Sequence, residues 1–113
     1  MVSTDDIWLV DFGEPFPGDP AFHRPALVVG PAGEWGTDIP FAFVVPFTTT
    51  RRELRHLHVE VEPDAGNGLD TVSYAQCEQL RSVNPARLVV RLGQVDHLVS
   101  DAVEQAIRDI LGY

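Results

Sequence analysis

Apolar residues in this chain come in short runs punctuated by glycine and proline. The first run, Ile7-Trp8-Leu9-Val10, predicts a strand over residues 7–12 that closes at Gly13 and Pro15. Residues 13–23 carry Pro15, Pro17, Gly18 and Pro20 and read as a loop. Residues 25–30 are apolar throughout, as a buried strand is. A turn-rich stretch over 31–40 leads to a third strand over 41–47. Leu57-His58-Val59-Glu60-Val61-Glu62 then alternates, the mark of a half-exposed strand. Residues 63–68 have the composition of a turn. Residues 72–83 hold a strand or two with a less regular pattern, and a last strand runs over 88–92 and ends near Gly93.

The period then changes. Leu98, Val99, Ala102, Val103, Ala106, Ile107, Ile110 and Leu111 recur at helical spacing. Asp96 is placed to cap the N-terminus and Gly112 to stop the helix, with Asp101, Glu104 and Asp109 on the solvent face. The expected class is mainly β with a C-terminal helix. So many strands in so short a chain imply a small, strongly curved sheet or barrel capped by that helix.

Length changes this picture little. The 113 residues make one domain, 1–113, long enough for its own core. No apolar run approaches the roughly 18 residues of a membrane span. The acidic N-terminus is unlike a secretory signal. One cysteine, Cys77, excludes an internal disulfide or a cysteine metal cluster. These features point to the cytoplasm.

Charge matters more. The net charge is −9, and every one of the basic residues is arginine. Residues 1–20 contain no arginine, whereas residues 21–91 are close to neutral. A protein that held nucleic acid by bulk charge would be basic. This chain would need a local arginine patch, which suits phosphate through a planar, bidentate fork. Otherwise the acidity serves solubility or a basic protein partner.

Two segments carry candidate chemistry. Phe22-His23-Arg24-Pro25-Ala26-Leu27-Val28-Val29 sets an arginine at the mouth of an apolar strand. Phe43-Val44-Val45-Pro46-Phe47 runs into Thr48-Thr49-Thr50-Arg51-Arg52, an exit rich in hydroxyls and guanidinium groups where a phosphate could be held. The plainer reading is that Arg24 caps loop carbonyls and the threonines favour a strand. Arg51, Arg52 and Arg55 are either a solvated loop or phosphate contacts, and Arg81 either reaches the same groove or makes an ion pair. Trp8 alternates with Val10 and is expected in the core or an interface. Trp35, in a glycine-rich loop, is the better candidate for a base contact; otherwise it pins the loop. His56 and His58 lack further ligands nearby for a metal site.

Taken in order, these segments resemble the MazF/PemK family of toxin endoribonucleases. Asp6-Ile7-Trp8-Leu9-Val10-Asp11 resembles the family's first strand, although Asp5 stands where the family usually has glycine. His23-Arg24-Pro25-Ala26-Leu27-Val28-Val29 matches the second strand, and Val44-Val45-Pro46-Phe47-Thr48-Thr49-Thr50 the third with its exit. Val59-Glu60-Val61, Gly68-Leu69, Ser73, Gln79-Leu80-Arg81-Ser82-Val83 and Arg91-Leu92-Gly93 follow in the family's order, and the terminal helix completes it.

The resemblance implies an SH3-like small barrel of the CcdB/PemK type that forms a homodimer and cuts single-stranded RNA at short sequences without a metal. The ribose 2′-hydroxyl attacks the neighbouring phosphate, leaving a 2′,3′-cyclic phosphate and a 5′-hydroxyl. The catalytic arginine falls on Arg24 and the catalytic threonine on Thr48. The acidic residue that precedes the arginine in some members falls on Asp19. RNA contacts are expected from Asp19, His23, Thr49, Arg51, Arg52 and Arg81, with no cofactor and no metal. Arg24, His23 and Asp19 are the candidates for proton acceptor. Expected partners are RNA and a cognate MazE-like antitoxin, with no membrane association. Relatives on this barrel poison DNA gyrase by protein contact, so a non-catalytic, protein-binding toxin or an inactive homologue is the alternative. The acidic surface points toward that binder; Arg24, Thr48 and the arginine-rich loop point toward the nuclease.

Overall fold

The third strand organises the molecule. A computed structural model describes residues 2–14, 16–17, 22–33, 40–52 and 56–113. Its strands are β1 (Asp6–Asp11), β2 (His23–Gly30), β3 (Ala42–Thr48), β4 (His58–Val61), β5 (Ser73–Gln76), β6 (Arg81–Val83) and β7 (Leu88–Gln94), followed by helix α1 (His97–Leu111). All pairings are antiparallel, in the order β4-β5-β3-β2-β1-β7, with β6 also on β3. β3 pairs with β2 through residues such as Ala26 and Pro46. It pairs with β6 through Ala42, Phe43 and Val44, and with β5 through Phe47 and Thr48. Sharing one strand among three partners bends the sheet into a barrel-like wrap, although no ladder joins β4 to β7 among the described residues.

Side-chain alternation along the strands gives the sheet two apolar faces. Ile7, Leu27, Val45, Phe47, Val61, Ala75 and Cys77 form one core with Val103 and Ala106 of α1. Val10, Ala26, Val28, Ala42, Val44, Val83 and Leu88 form the other, with Trp8 and Phe12 packed against it. Trp8 is therefore half-buried at the margin of a core, and its indole Nε1 lies 3.4 Å from Asp6 Oδ2. Asp6 is itself buried (3% exposed). It accepts from the Ser3 N–H and pairs with Arg91 at 3.2 Å, so the charge is compensated.

The end of β7 is fixed by close backbone approach. Gln94 N–H donates to the Gly66 carbonyl (2.9 Å) in the turn before β5. A Cβ on Gly93 would collide with the Gly66 carbonyl oxygen and the Asn67 backbone, so only glycine fits there. Asn67 is buried and organises the same turn. It donates to the Glu62 carbonyl and accepts from the Asp64 and Leu69 N–H groups.

Asp5, the departure from the family's glycine, has φ +75°. That left-handed conformation explains the glycine and disfavours most other residues, with aspartate among those that tolerate it best. Asp5 N–H donates to Val28 and its carbonyl accepts from Val95. Its carboxylate accepts from the Ser100 hydroxyl of α1 at 2.7 Å. The helix begins as expected, with the Asp96 side chain accepting from Val99 N–H, and ends at Gly112 in the left-handed region. Its solvent face holds Asp101, Glu104 and Asp109. The apolar stripe is only partly covered: Val103 and Ala106 are buried, but Leu98 is 68% and Leu111 57% exposed.

Candidate active site

The strands run further at the candidate site than the sequence pattern implied. β2 begins at His23 and β3 ends at Thr48, so Arg24 and Thr48 are both strand residues. The recorded β2–β3 ladder ends at Ala26 opposite Pro46. The same register carried two residues on sets Arg24 abreast of Thr48. Residues opposed across an antiparallel pair share a face, and adjacent strands lie about 5 Å apart. Arg24 is also opposite the fully buried Val10 of β1. The guanidinium thus starts from the edge of the second core rather than from a loop.

Arg24 is half-buried, yet its guanidinium makes no hydrogen bond or ion pair among the described residues. Much of the loop whose carbonyls it could cap, residues 15 and 18–21, lies outside the described residues. A half-buried cation left without a protein partner is suited to an anionic ligand. Thr48 is half-buried too, and its Oγ1 accepts from the Thr50 N–H at 3.2 Å. That contact occupies a lone pair and orients the hydroxyl, whose proton stays available to donate.

The chain enters β2 through a constrained residue. Phe22 has φ +50°, in the left-handed region that a bulky side chain rarely adopts. Its carbonyl accepts from Phe12 N–H and its N–H donates to the Gly13 carbonyl, both at 2.8 Å. These bonds to the exit of β1 hold the approach to His23 and Arg24 in place.

The other expected site residues divide. His23 is exposed and, one residue from Arg24, points to the opposite face. Thr49, Arg51 and Arg52 are exposed beyond the end of β3. Arg81 sits on β6 opposite Val44, four residues from Thr48 along β3. Its Nε donates to the Gln79 carbonyl (3.2 Å) and its Nη2 to Gln79 Oε1 (2.8 Å), and the guanidinium lies 5.8 Å from the centre of the Phe12 ring. Among the described residues Arg81 makes no ion pair, and an amide and an aromatic face hold it. Asp19, Trp35 and Arg55 lie outside the described residues. His56 lies in a turn before β4 rather than on the strand, and His58 Nε2 is hydrogen-bonded to Glu78 Oε2 at 2.9 Å. The Cys77 thiol is buried, and that burial, aided by the neighbouring Glu78 charge, pushes it up to about 12. At neutral pH it is an un-ionised, inert group.

Two residues absent from the sequence reading join the row. Tyr74 of β5 is opposite Thr48, and Glu60 of β4 is opposite Tyr74. Glu60, Tyr74 and Thr48 therefore stand side by side across three neighbouring strands, and Arg24 lies on the next strand, two residues past the last β2–β3 pair.

Residues 4–111 match the sequence profile of the PemK-like, MazF-like toxin of type II toxin-antitoxin systems. The chain belongs to that family. Solved structures of MazF proteins share its fold. Toxin MazF-mt6 of Mycobacterium tuberculosis is 23% identical with a TM-score of 0.74, over 95% of this chain and 96% of that one. MazF of Deinococcus radiodurans is 21% identical with a TM-score of 0.78, over 99% of this chain and 97% of that one. An endoribonuclease from a mycobacterial species, solved in complex with its cognate antitoxin, is 19% identical with a TM-score of 0.78, over 99% and 96%. The PemK/MazF assignment agrees with the seven antiparallel strands and C-terminal helix described above. Among the described residues, no helix is long and apolar enough to cross a membrane.

Proposed function

We propose that this PemK/MazF-family toxin is a sequence-specific endoribonuclease that cuts single-stranded RNA without a metal. The observation that carries the reading is the half-buried Arg24, without a protein partner among the described residues, set abreast of the oriented Thr48 hydroxyl. The ribose 2′-hydroxyl gives its proton to water and attacks the adjacent phosphorus, and the 5′-oxygen of the next nucleotide leaves, taking a proton from water to become a hydroxyl. Negative charge builds on the phosphate oxygens on the way. Arg24 offers a fixed guanidinium to that charge, stronger in the transition state than in the ground state. The Thr48 hydroxyl donates a hydrogen bond to the same phosphate. The exposed Thr49, Arg51 and Arg52 extend the contact along the backbone. Arg81, already anchored on Gln79 and Phe12, presents its remaining N–H groups at the flank.

The toxin acts as a homodimer in this reading, because edge strand β7 exposes Val89 (53%) and Val90 (47%) beside the second core. A cognate MazE-like antitoxin restrains it. Among the relatives, the mycobacterial endoribonuclease is solved in complex with its cognate antitoxin. A disordered acidic segment is the expected ligand, since it mimics the RNA backbone and wraps a long surface.

The test is incubation of purified protein with a long RNA in EDTA, followed by mapping of the cut sites. Discrete cuts at a recurrent short sequence are expected. A folded protein that arrests growth on expression but cuts no RNA would replace this reading with protein binding.

A further inference from the structure

Tyr74 and Glu60 extend the catalytic row on the side away from Arg24. Tyr74 is the half-exposed residue of β5, between the buried Ser73 and Ala75. Phe47 and Ala75, which oppose each other, both belong to the first core, so Thr48 and Tyr74 share the other face. The Tyr74 hydroxyl has no hydrogen-bond partner among the described residues, although a partly buried tyrosine usually finds one. Glu60 is exposed and unpaired there as well. A bare carboxylate beside a phosphate site would weaken RNA binding unless it accepts from a donor on the nucleotide.

On the ribonuclease reading above, we propose that Tyr74 is the stacking platform for a nucleobase flanking the scissile phosphate. Glu60 accepts from the exocyclic amino group of that base. With the phosphate between Arg24 and Thr48, the next strand lies about 5 Å further across the sheet, within reach of an attached nucleotide. An aromatic face supports any base. The carboxylate adds selection, because cytosine, adenine and guanine carry an amino donor and uracil does not. The row thereby makes the toxin discriminate against uracil at one position of its cut site.

The test uses an RNA pool randomised around a mapped cut site, cleaved by the full chain and by Tyr74→Ala, Tyr74→Phe and Glu60→Gln. Circular dichroism checks each fold. Tyr74→Ala should lose roughly 5- to 150-fold in cleavage efficiency, the worth of one stacked base, and Tyr74→Phe should keep most of it. Glu60→Gln, whose amide can donate as well as accept, should relax discrimination against uracil at one position by about tenfold. Anisotropy with an RNA carrying 2′-deoxyribose at the cleaved position should show the same losses in binding, separating the platform from the chemistry. If wild type cuts and Tyr74→Ala cuts and binds equally well, this assignment fails alone. Unchanged selectivity in Glu60→Gln removes the carboxylate's role. A wild type inactive on every RNA removes the ribonuclease reading and this assignment with it.

Discussion

Thr48 is where structure and chemistry can be separated by one substitution. Thr48→Val keeps the branched shape at the end of β3 and removes only the hydroxyl. In the folded protein that hydroxyl oxygen accepts one long hydrogen bond, 3.2 Å, from an exposed backbone N–H. Water can replace it, so stability should fall by no more than about 1 kcal/mol, or roughly 4 °C in melting temperature. If the freed proton points at the scissile phosphate, the same change should slow cleavage by roughly 10²-fold, the scale of one preorganised donor to developing charge. Thr48→Ser keeps the donor and should stay within about tenfold of wild type. The assay is single-turnover cleavage of one mapped site, beside thermal unfolding of each variant. If Arg24 and Thr48 act on one phosphate, the loss in the double variant should be smaller than the product of the single losses. A Thr48→Val protein that cuts as fast as wild type would refute the reasoning. So would a Thr48→Ser protein as impaired as Thr48→Val.

Other consequences concern the scaffold. Gly93→Ala drives a methyl group into backbone that cannot yield, and should lower the melting temperature by roughly 10 °C or prevent folding. Asp5→Gly relieves the positive φ but loses the bond to Ser100, whereas Asp5→Ala loses the bond and keeps the strain; the alanine variant should be the less stable by about 1 kcal/mol in urea unfolding. The Cys77 thiol has a raised folded pKa, so its contribution to stability is complete below the ordinary value of 9.0 and is lost as pH rises toward about 12. Unfolding midpoints measured from pH 8 to 11 should fall more steeply for wild type than for Cys77→Ala, and native Cys77 should resist alkylation at pH 8.

The elements written in a local code were legible in the chain. Alternation over residues 57–62 marks β4, and Asp96 with Gly112 marks the helix. Strand limits were less so, because pairing decides them. The sequence pattern starts β2 at Pro25 and ends β3 at Phe47, yet the ladder neighbours extend β2 back to His23 and β3 on to Thr48. That extension is what turns Arg24 and Thr48 from loop-edge residues into a facing pair. The irregular stretch over 72–83 is two short strands divided by a turn at Cys77–Gln79, each serving a different part of β3. No periodicity rule anticipates a strand shared in that way. Tyr74 and Glu60 escaped notice for the same reason: register between distant segments joins them to the site. Leu98 and Leu111 fit the helical period, but both are exposed, because what covers a helix is set by its packing partners and not by its period.

The central claim is that Arg24 stabilises the phosphate during metal-free attack by the 2′-hydroxyl. The most direct measurement is single-turnover cleavage of one mapped RNA site in EDTA by wild type, Arg24→Ala and Arg24→Lys, with the product ends identified. Wild type should leave a 2′,3′-cyclic phosphate and a 5′-hydroxyl. Folded Arg24→Ala should be slower by roughly 10²–10³-fold, and Arg24→Lys should recover little, because an ammonium lacks the bidentate fork. A folded Arg24→Ala protein that cuts as fast as wild type, or a wild type that leaves a 5′-phosphate, would contradict the account.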